Sequence, residues 1–164
     1  MAPYLKYGDI KGPVTTNGFE GWIECESFGW HIDRNIGDAA RGSTSREHSE
    51  PQIHEITVTK RTDIASPKLF VESVAGKLNT KVDIKFTTTD SPPQTYLTLK
   101  LENVGISGYT ISSHGHGMGG QPQMPEEQMT LNFTKVTKTF TGHDSGLGGS
   151  PETVGYDKTT MTKL

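Results

Sequence analysis

The 164-residue sequence predicts a mainly β fold: a two-sheet antiparallel barrel or sandwich with one short flanking helix. Two observations lead there. Period-two segments rich in β-branched residues recur along the chain, among them Ile53-His-Glu-Ile-Thr-Val-Thr-Lys-Arg-Thr62 and Thr80-Lys-Val-Asp-Ile-Lys-Phe-Thr87. Between them lie turn signals, drawn from 19 glycines and 9 prolines. Helical spacing is confined to one short stretch, and a single helix cannot form its own layer.

Tyr4 to Ile10 reads as the first strand, closed by a turn at Lys11-Gly-Pro13 and a loop through Asn17-Gly18. Gly21 to Ile32 reads as a second, longer strand whose pattern changes halfway. Ile23 and Cys25 are apolar on one face, Phe28 and Trp30 on the other. Neighbouring side chains alternate faces, so a bend, a bulge or a passage between sheets is expected, with Gly29 as a permissive position. Asn35 to Gln52 has no hydrophobic period and is read as a long extended loop, a kind that is often functional in a compact domain.

After the strand at Ile53–Thr62, Ser66-Pro67 opens a helix over about Pro67–Ala75: a hydroxyl to cap orphan N–H groups, then a residue that has none. Leu69, Phe70, Ser73 and Val74 keep helical spacing and Gly76 supplies the stop. The strand Thr80–Thr87 connects through Asp90-Ser-Pro-Pro93 to a long strand from Tyr96 to Ser113, broken near Gly105 or Gly108. A glycine- and proline-rich loop, Gly115 to Pro125, precedes an extended strand from Glu127 to Phe140. Gly142 to Ser150 is again glycine-rich, and Thr153 to Thr160 makes a last short strand. No internal repeat is evident, and residues 1–164 read as one domain.

Hydrophobic residues are 31% and charged residues 21% of the chain, and the net charge of -3 with a pI of 6.1 gives no general reason to bind nucleic acid or anionic membrane. The single cysteine, Cys25, excludes an intrachain disulfide and fits folding in a reducing cytoplasm; its alternating surroundings make it a small core residue. Met1-Ala-Pro-Tyr-Leu-Lys6 lacks the basic and apolar regions of a signal peptide. No segment approaches the roughly 20 apolar residues of a membrane span.

Nothing in the sequence specifies catalysis. His114 and His116, with His143 or His48, invite a metal reading, but they are glycine-flanked loop residues without a carboxylate or cysteine at matching spacing. No G-x-S-x-G occurs, and the serines around His48 have no orienting acid. Gly115 to Gly120 lacks the lysine and hydroxyl of a phosphate loop. Glu24/Glu26 and Glu126/Glu127 read as a solvated strand face and a turn. Arg34, Arg41, Arg46, Lys60 and Arg61 are interspersed with acids and suit ion pairs between subunits better than a phosphate-binding stripe. No catalytic, cofactor-binding or metal-binding residue is assigned.

The segment Ile53 to Leu69 and the strand Tyr96 to Val104, in that order, resemble the haemolysin-coregulated protein (Hcp) family, tube subunits of the bacterial type VI secretion system. Val104-Gly-Ile-Ser-Gly-Tyr109, Glu126 to Val136 and Gly155-Tyr-Asp157 are similar to that family's later strands. The resemblance runs from Tyr4 to about Tyr156; the loop with His114, His116 and Met118 has no counterpart in it. It implies a homohexameric ring that stacks into a hollow tube. Its implied partners are the VgrG spike, the contractile sheath, baseplate components and effector proteins carried in the lumen. It implies a chain held in the bacterial cytoplasm and then secreted or delivered to a target cell without a signal peptide, and no enzymatic activity.

Two site expectations join the resemblance to the pattern of residues. The family's extended loop projects at a ring face, so Arg34, Asp38, Arg41, Arg46, Glu47 and Glu50 are expected to mediate ring stacking. The family places the strand Trp22 to Ile32 along the lumen. If Phe28 and Trp30 point into the core, the pleat turns Ser27, Gly29 and His31 to the channel. The sequence leaves two other functions open: a carbohydrate-binding β-sandwich using Trp22, Trp30, Tyr96 and Tyr109 as stacking platforms, and a small metal-dependent cupin-like enzyme using His114, His116 and His143.

Overall fold

A computed structural model describes residues 2–37, 50–115, 123–142 and 150–164. Its elements in chain order are β1 (Pro3–Tyr7), β2 (Ile23–Glu24), β3 (Ser27–Gly29), β4 (Ile32–Asp33), β5 (Gln52–Ile53), β6 (Ile56–Arg61), α1 (Ser66–Ala75), β7 (Thr80–Thr87), β8 (Thr95–Ser112), β9 (Glu126–Asn132), β10 (Lys135–Phe140), β11 (Glu152–Asp157) and β12 (Thr162–Lys163). All described strand pairs are antiparallel.

The first sheet runs β12-β11-β10-β8-β7-β1-β2, and the second β3-β6-β9-β8. The 18-residue β8 belongs to both. Its first half lies between β7 and β10, and from Gly105 onward it pairs with β9. The break expected near Gly105 or Gly108 is present as a register shift between Ile106 and Gly108. Just before it, Asn103 has a φ of 55°, a left-handed conformation that asparagine tolerates better than most residues. Its side-chain amide donates to the Thr134 hydroxyl at 2.8 Å.

The changes of sheet account for two strands the sequence misjudges. The expected strand Gly21–Ile32 is three short strands: β2 pairs with β1, β3 with β6 and β4 with β5. The passage lies at Cys25-Glu26, not at Gly29. The Cys25 N–H donates to the Pro3 carbonyl at 2.9 Å, and the next N–H, of Glu26, donates to the Thr59 carbonyl of the other sheet at 2.7 Å. Glu127–Phe140 likewise splits at Phe133-Thr134 into β9 and β10, which lie in different sheets. Periodicity cannot report such a step, because both halves alternate. Since β2 and β12 stand at the two ends of the first sheet, the architecture is a sandwich and not a closed barrel.

Leu5, Ile23, Ile56, Val58, Ile84, Leu99, Leu101, Met129 and Leu131 fill the space between the layers, each at most 2% exposed. Each such side chain contributes roughly 1.5–3 kcal/mol by leaving water. Gly12 permits one close approach: a Cβ there would lie 2.2 Å from the Trp22 carbonyl oxygen.

The helix begins one residue earlier than expected, at Ser66, with Ala65 at the N-cap position and Pro67 in its first turn. The Ser66 hydroxyl does not cap it. That oxygen accepts from the Asp63 N–H at 2.9 Å and donates to Glu127 Oε2 at 2.8 Å, because a buried carboxylate is the stronger acceptor. Asp63 Oδ1 accepts the Ala65 N–H instead, at 2.8 Å. Gly76 ends the helix in an extended conformation, where a Cβ would lie 2.4 Å from the Glu72 carbonyl oxygen.

Candidate functional site

The outward face of the second sheet is built by cross-strand register. Ser27 lies opposite Thr59, Thr59 opposite Gln128, and Gln128 opposite Thr110. In the adjoining row Gly29 faces Thr57, Thr57 faces Thr130, and Thr130 faces Gly108. Directly opposed residues share a face. Four strands therefore present two rows of small or uncharged polar groups, none of them buried. The Ser27 and Thr59 hydroxyls hydrogen-bond across the first row. Phe28 and Trp30 pack inward, as the pleat requires: Phe28 meets Phe86 edge-on at 5.0 Å and Trp30 meets Phe133 at 6.3 Å.

Of the three residues expected together on this wall, Ser27 and Gly29 share it. His31 lies beyond the end of β3, immediately before β4 of the separate two-stranded ribbon β4–β5. The rest of the wall was legible only as hydroxyls alternating with apolar residues in Thr57-Val-Thr59, and nothing in that alternation names its neighbours.

At the loop expected to stack rings, Arg34 follows β4 and Glu50 precedes β5, both exposed. Asp38, Arg41, Arg46 and Glu47 lie outside the described residues. At the neck of that loop His31 Nε2 is 3.3 Å, and His54 Nε2 2.8 Å, from Asp33 Oδ2. The His54 hydrogen bond is the main reason the Asp33 carboxyl sits below its usual range.

Beneath the opposite end of the sheet lies a buried charge network. Lys60 is 0% and Glu127 2% exposed. The Lys60 ammonium donates to Glu127 Oε2 at 2.8 Å, to the Arg61 carbonyl at 2.8 Å and to Ser66 Oγ at 3.1 Å, and lies 3.1 Å from Asp63 Oδ1. The Tyr109 hydroxyl donates to Glu127 Oε1. Burial pushes the Glu127 carboxyl up, but the hydrogen bonds from Lys60, Tyr109 and Ser66 outweigh it and leave the group below its ordinary value. Burial and the Glu127 carboxylate together push the Tyr109 phenol up. This network fastens the start of α1 to β6, β8 and β9. It also corrects two expectations: Glu127 is a buried partner and not part of a solvated turn, and Lys60 cannot pair with another subunit. Arg61 also bonds within the chain, its Nε donating to Glu26 Oε1 at 2.6 Å, but it is 43% exposed.

The outer side of α1 is apolar. Phe70 is 52%, Val71 55% and Val74 68% exposed, and Leu78 just beyond the helix is 71% exposed. Of the aromatics in the carbohydrate reading, Trp22 is only 8% exposed and the Tyr109 hydroxyl is bonded to Glu127. His114 is exposed, while His48, His116 and His143 lie outside the described residues.

Residues 4–140 match the profile of the family described as "Type VI secretion system effector, Hcp". The chain belongs to the Hcp family. It is thereby a type VI secretion tube protein of a secreted, structural class. Solved Hcp-like structures share its fold over nearly its whole length. A type six secretion system protein superposes with a TM-score of 0.87 at 22% identity, covering 99% of each chain. Hcp1 from Salmonella typhimurium gives 0.73 at 19% identity, covering 100% of each. The secreted protein Hcp3 from Pseudomonas aeruginosa gives 0.65 at 17% identity, covering 95% of this chain and 97% of that one. A comparison with curated protein sequences finds no match. Among the described residues no helix is long and apolar enough to cross a membrane.

Proposed function

We propose that this Hcp chain is a non-enzymatic subunit of the type VI inner tube, assembling into six-membered rings that stack into a channel for effector proteins. The observation that carries the reading is the outward wall of the second sheet. A channel that neither traps nor excludes cargo needs small, uncharged, polar side chains, and Ser27, Gly29, Thr57, Thr59, Gly108, Thr110, Gln128 and Thr130 supply them in register across four strands. The exposed apolar face of α1 gives the assembly a second surface to cover, against a neighbouring subunit or the surrounding sheath. The VgrG spike and the baseplate are the partners at the tube's end. The subunit waits in the bacterial cytoplasm and leaves with the tube.

Light scattering and negative-stain electron microscopy test the ring directly, and a monomer across a broad concentration range overturns it. Labelling tests the wall. Ser27→Cys places a thiol on it, while native Cys25, 1% exposed, stays silent. In assembled tubes a small maleimide should react and a polymer-linked one too large to enter should not. Equal labelling by both places this face outside the channel. Deleting residues 39 to 45 should leave rings intact and abolish delivery; unchanged secretion removes the loop from stacking.

A further inference from the structure

The ribbon β4–β5 brings together three side chains that the sequence keeps apart. His31 and Asp33 are two residues apart and so lie on one face. The ladder pairs Ile32 with Ile53, and the His54 N–H donates to the His31 carbonyl at 3.1 Å, which sets His54 across from His31 on that same face. The backbone therefore delivers two imidazoles and a carboxylate to one spot. Their donor atoms all lie within 4.8 Å of one another. The rings tilt against each other with centroids 5.1 Å apart, and the Trp30 indole N–H holds the His54 carbonyl at 3.1 Å from beneath.

We propose that His31, Asp33 and His54 form a binding site for a divalent transition-metal ion of the zinc class, which would staple β4 to β5 at the neck of the long loop. Bonds of about 2.0–2.1 Å in tetrahedral geometry separate neighbouring donors by about 3.3 Å. Asp33 Oδ2 already stands 3.3 Å from His31 Nε2 and must withdraw by only about half an ångström from its 2.8 Å hydrogen bond to His54 Nε2. All three side chains are exposed, so they can make that adjustment and an ion can enter from solvent. Two imidazoles with one carboxylate favour zinc, nickel, cobalt or copper over magnesium or calcium, which prefer all-oxygen shells. Three protein ligands leave a position for water. The staple matters because the described ladder holds the ribbon by only two residue pairs, Ile32↔Ile53 and Asp33↔Gln52. The inference rests on the ribbon alone and is independent of ring assembly.

The test uses the tag-free full chain, stripped with chelator and titrated with cobalt chloride and then zinc chloride. Cobalt should give a one-to-one visible band of tetrahedral intensity, which zinc displaces, and zinc should shift the His31 and His54 ring nitrogen resonances. His31→Ala, His54→Ala and Asp33→Asn should each weaken binding at least tenfold, since even an outer-shell partner is worth about 10–100-fold. All three positions are exposed, so circular dichroism should show the fold kept. His114→Ala, distant in sequence and also exposed, should bind as the parent does. No cobalt band, or zinc addition that leaves the two histidine resonances in place, reduces the cluster to a hydrogen-bonded triad and overturns the proposal. Binding that survives the His31 and His54 replacements overturns it too.

Discussion

Replacing Lys60 with methionine isolates the energetics of the buried network. Methionine keeps the length and packing of the lysine stem while removing the charge, so the loss is electrostatic more than steric. Glu127, 2% exposed, then keeps only the Ser66 and Tyr109 hydroxyls as donors. Leaving one member of a buried ion pair uncompensated costs about 3–5 kcal/mol. At roughly 2–4 °C per kcal/mol for a domain of this size, the melting temperature should fall by about 6–20 °C. The pH dependence has a definite sign. In the parent the folded Glu127 carboxyl lies below its unfolded value, so its contribution is present above the ordinary carboxylate range and is lost as pH falls through the lower, folded value. In Lys60→Met burial is no longer outweighed and the folded value rises. The variant's deficit should therefore be largest at neutral pH and shrink as the medium is acidified and Glu127 takes up a proton. Thermal unfolding reads the first effect and urea unfolding across pH the second, both followed by the fluorescence of Trp22 and Trp30 at one fixed protein concentration because assembly would add stability. The double variant Lys60→Met with Glu127→Gln should recover most of the loss. A single variant within about 1 kcal/mol of the parent, or a deficit that grows on acidification, would refute this account of the network.

Gly29→Arg adds its side chain to open space, the nearest atom to a Cβ there being the Thr57 carbonyl oxygen at 4.0 Å; the protein should fold and form rings while cargo loading falls, as pull-down of a cognate effector would report. Its counterpart Trp30→Ala removes an indole packed on Phe133 and should destabilise by up to about 3–5 kcal/mol, read by thermal unfolding; a harmless Trp30→Ala with a ring-destroying Gly29→Arg would show the faces reversed. Gly12→Ala drives a methyl against the backbone of Trp22 and should cost about 1–3 kcal/mol in the same assay. Burial pushes the Cys25 thiol up to about 12, so at pH 8 it should resist a disulfide reagent until urea unfolds the chain; rapid native labelling would show that the first sheet opens there.

Elements with a strong local signal were legible from residues alone. Thr80–Thr87 has the bounds its alternation predicts, and the helix differs by one residue, because pleat and helical period are properties of neighbours along the chain. The break in β8 was legible for the same reason, from Gly105 and Gly108. The Hcp resemblance carried the family, and the alternation of Ser27 and Gly29 with Phe28 carried the outward face of β3.

What the sequence could not carry depends on register between distant strands. Cys25 and Glu26 alternate like any strand, yet their N–H groups bond to different sheets, and only the placement of Pro3 and Thr59 decides this. Glu127 looked solvated because its partner Lys60 lies 67 residues away, and burial became tolerable only when β6 and β9 set ammonium against carboxylate. The outward wall needs four strands aligned, and His31, Asp33 and His54 need the two-pair ladder of β4 and β5. Local periodicity determined which face each residue takes; cross-strand register, set by packing the two sheets together, decided which residues meet on it.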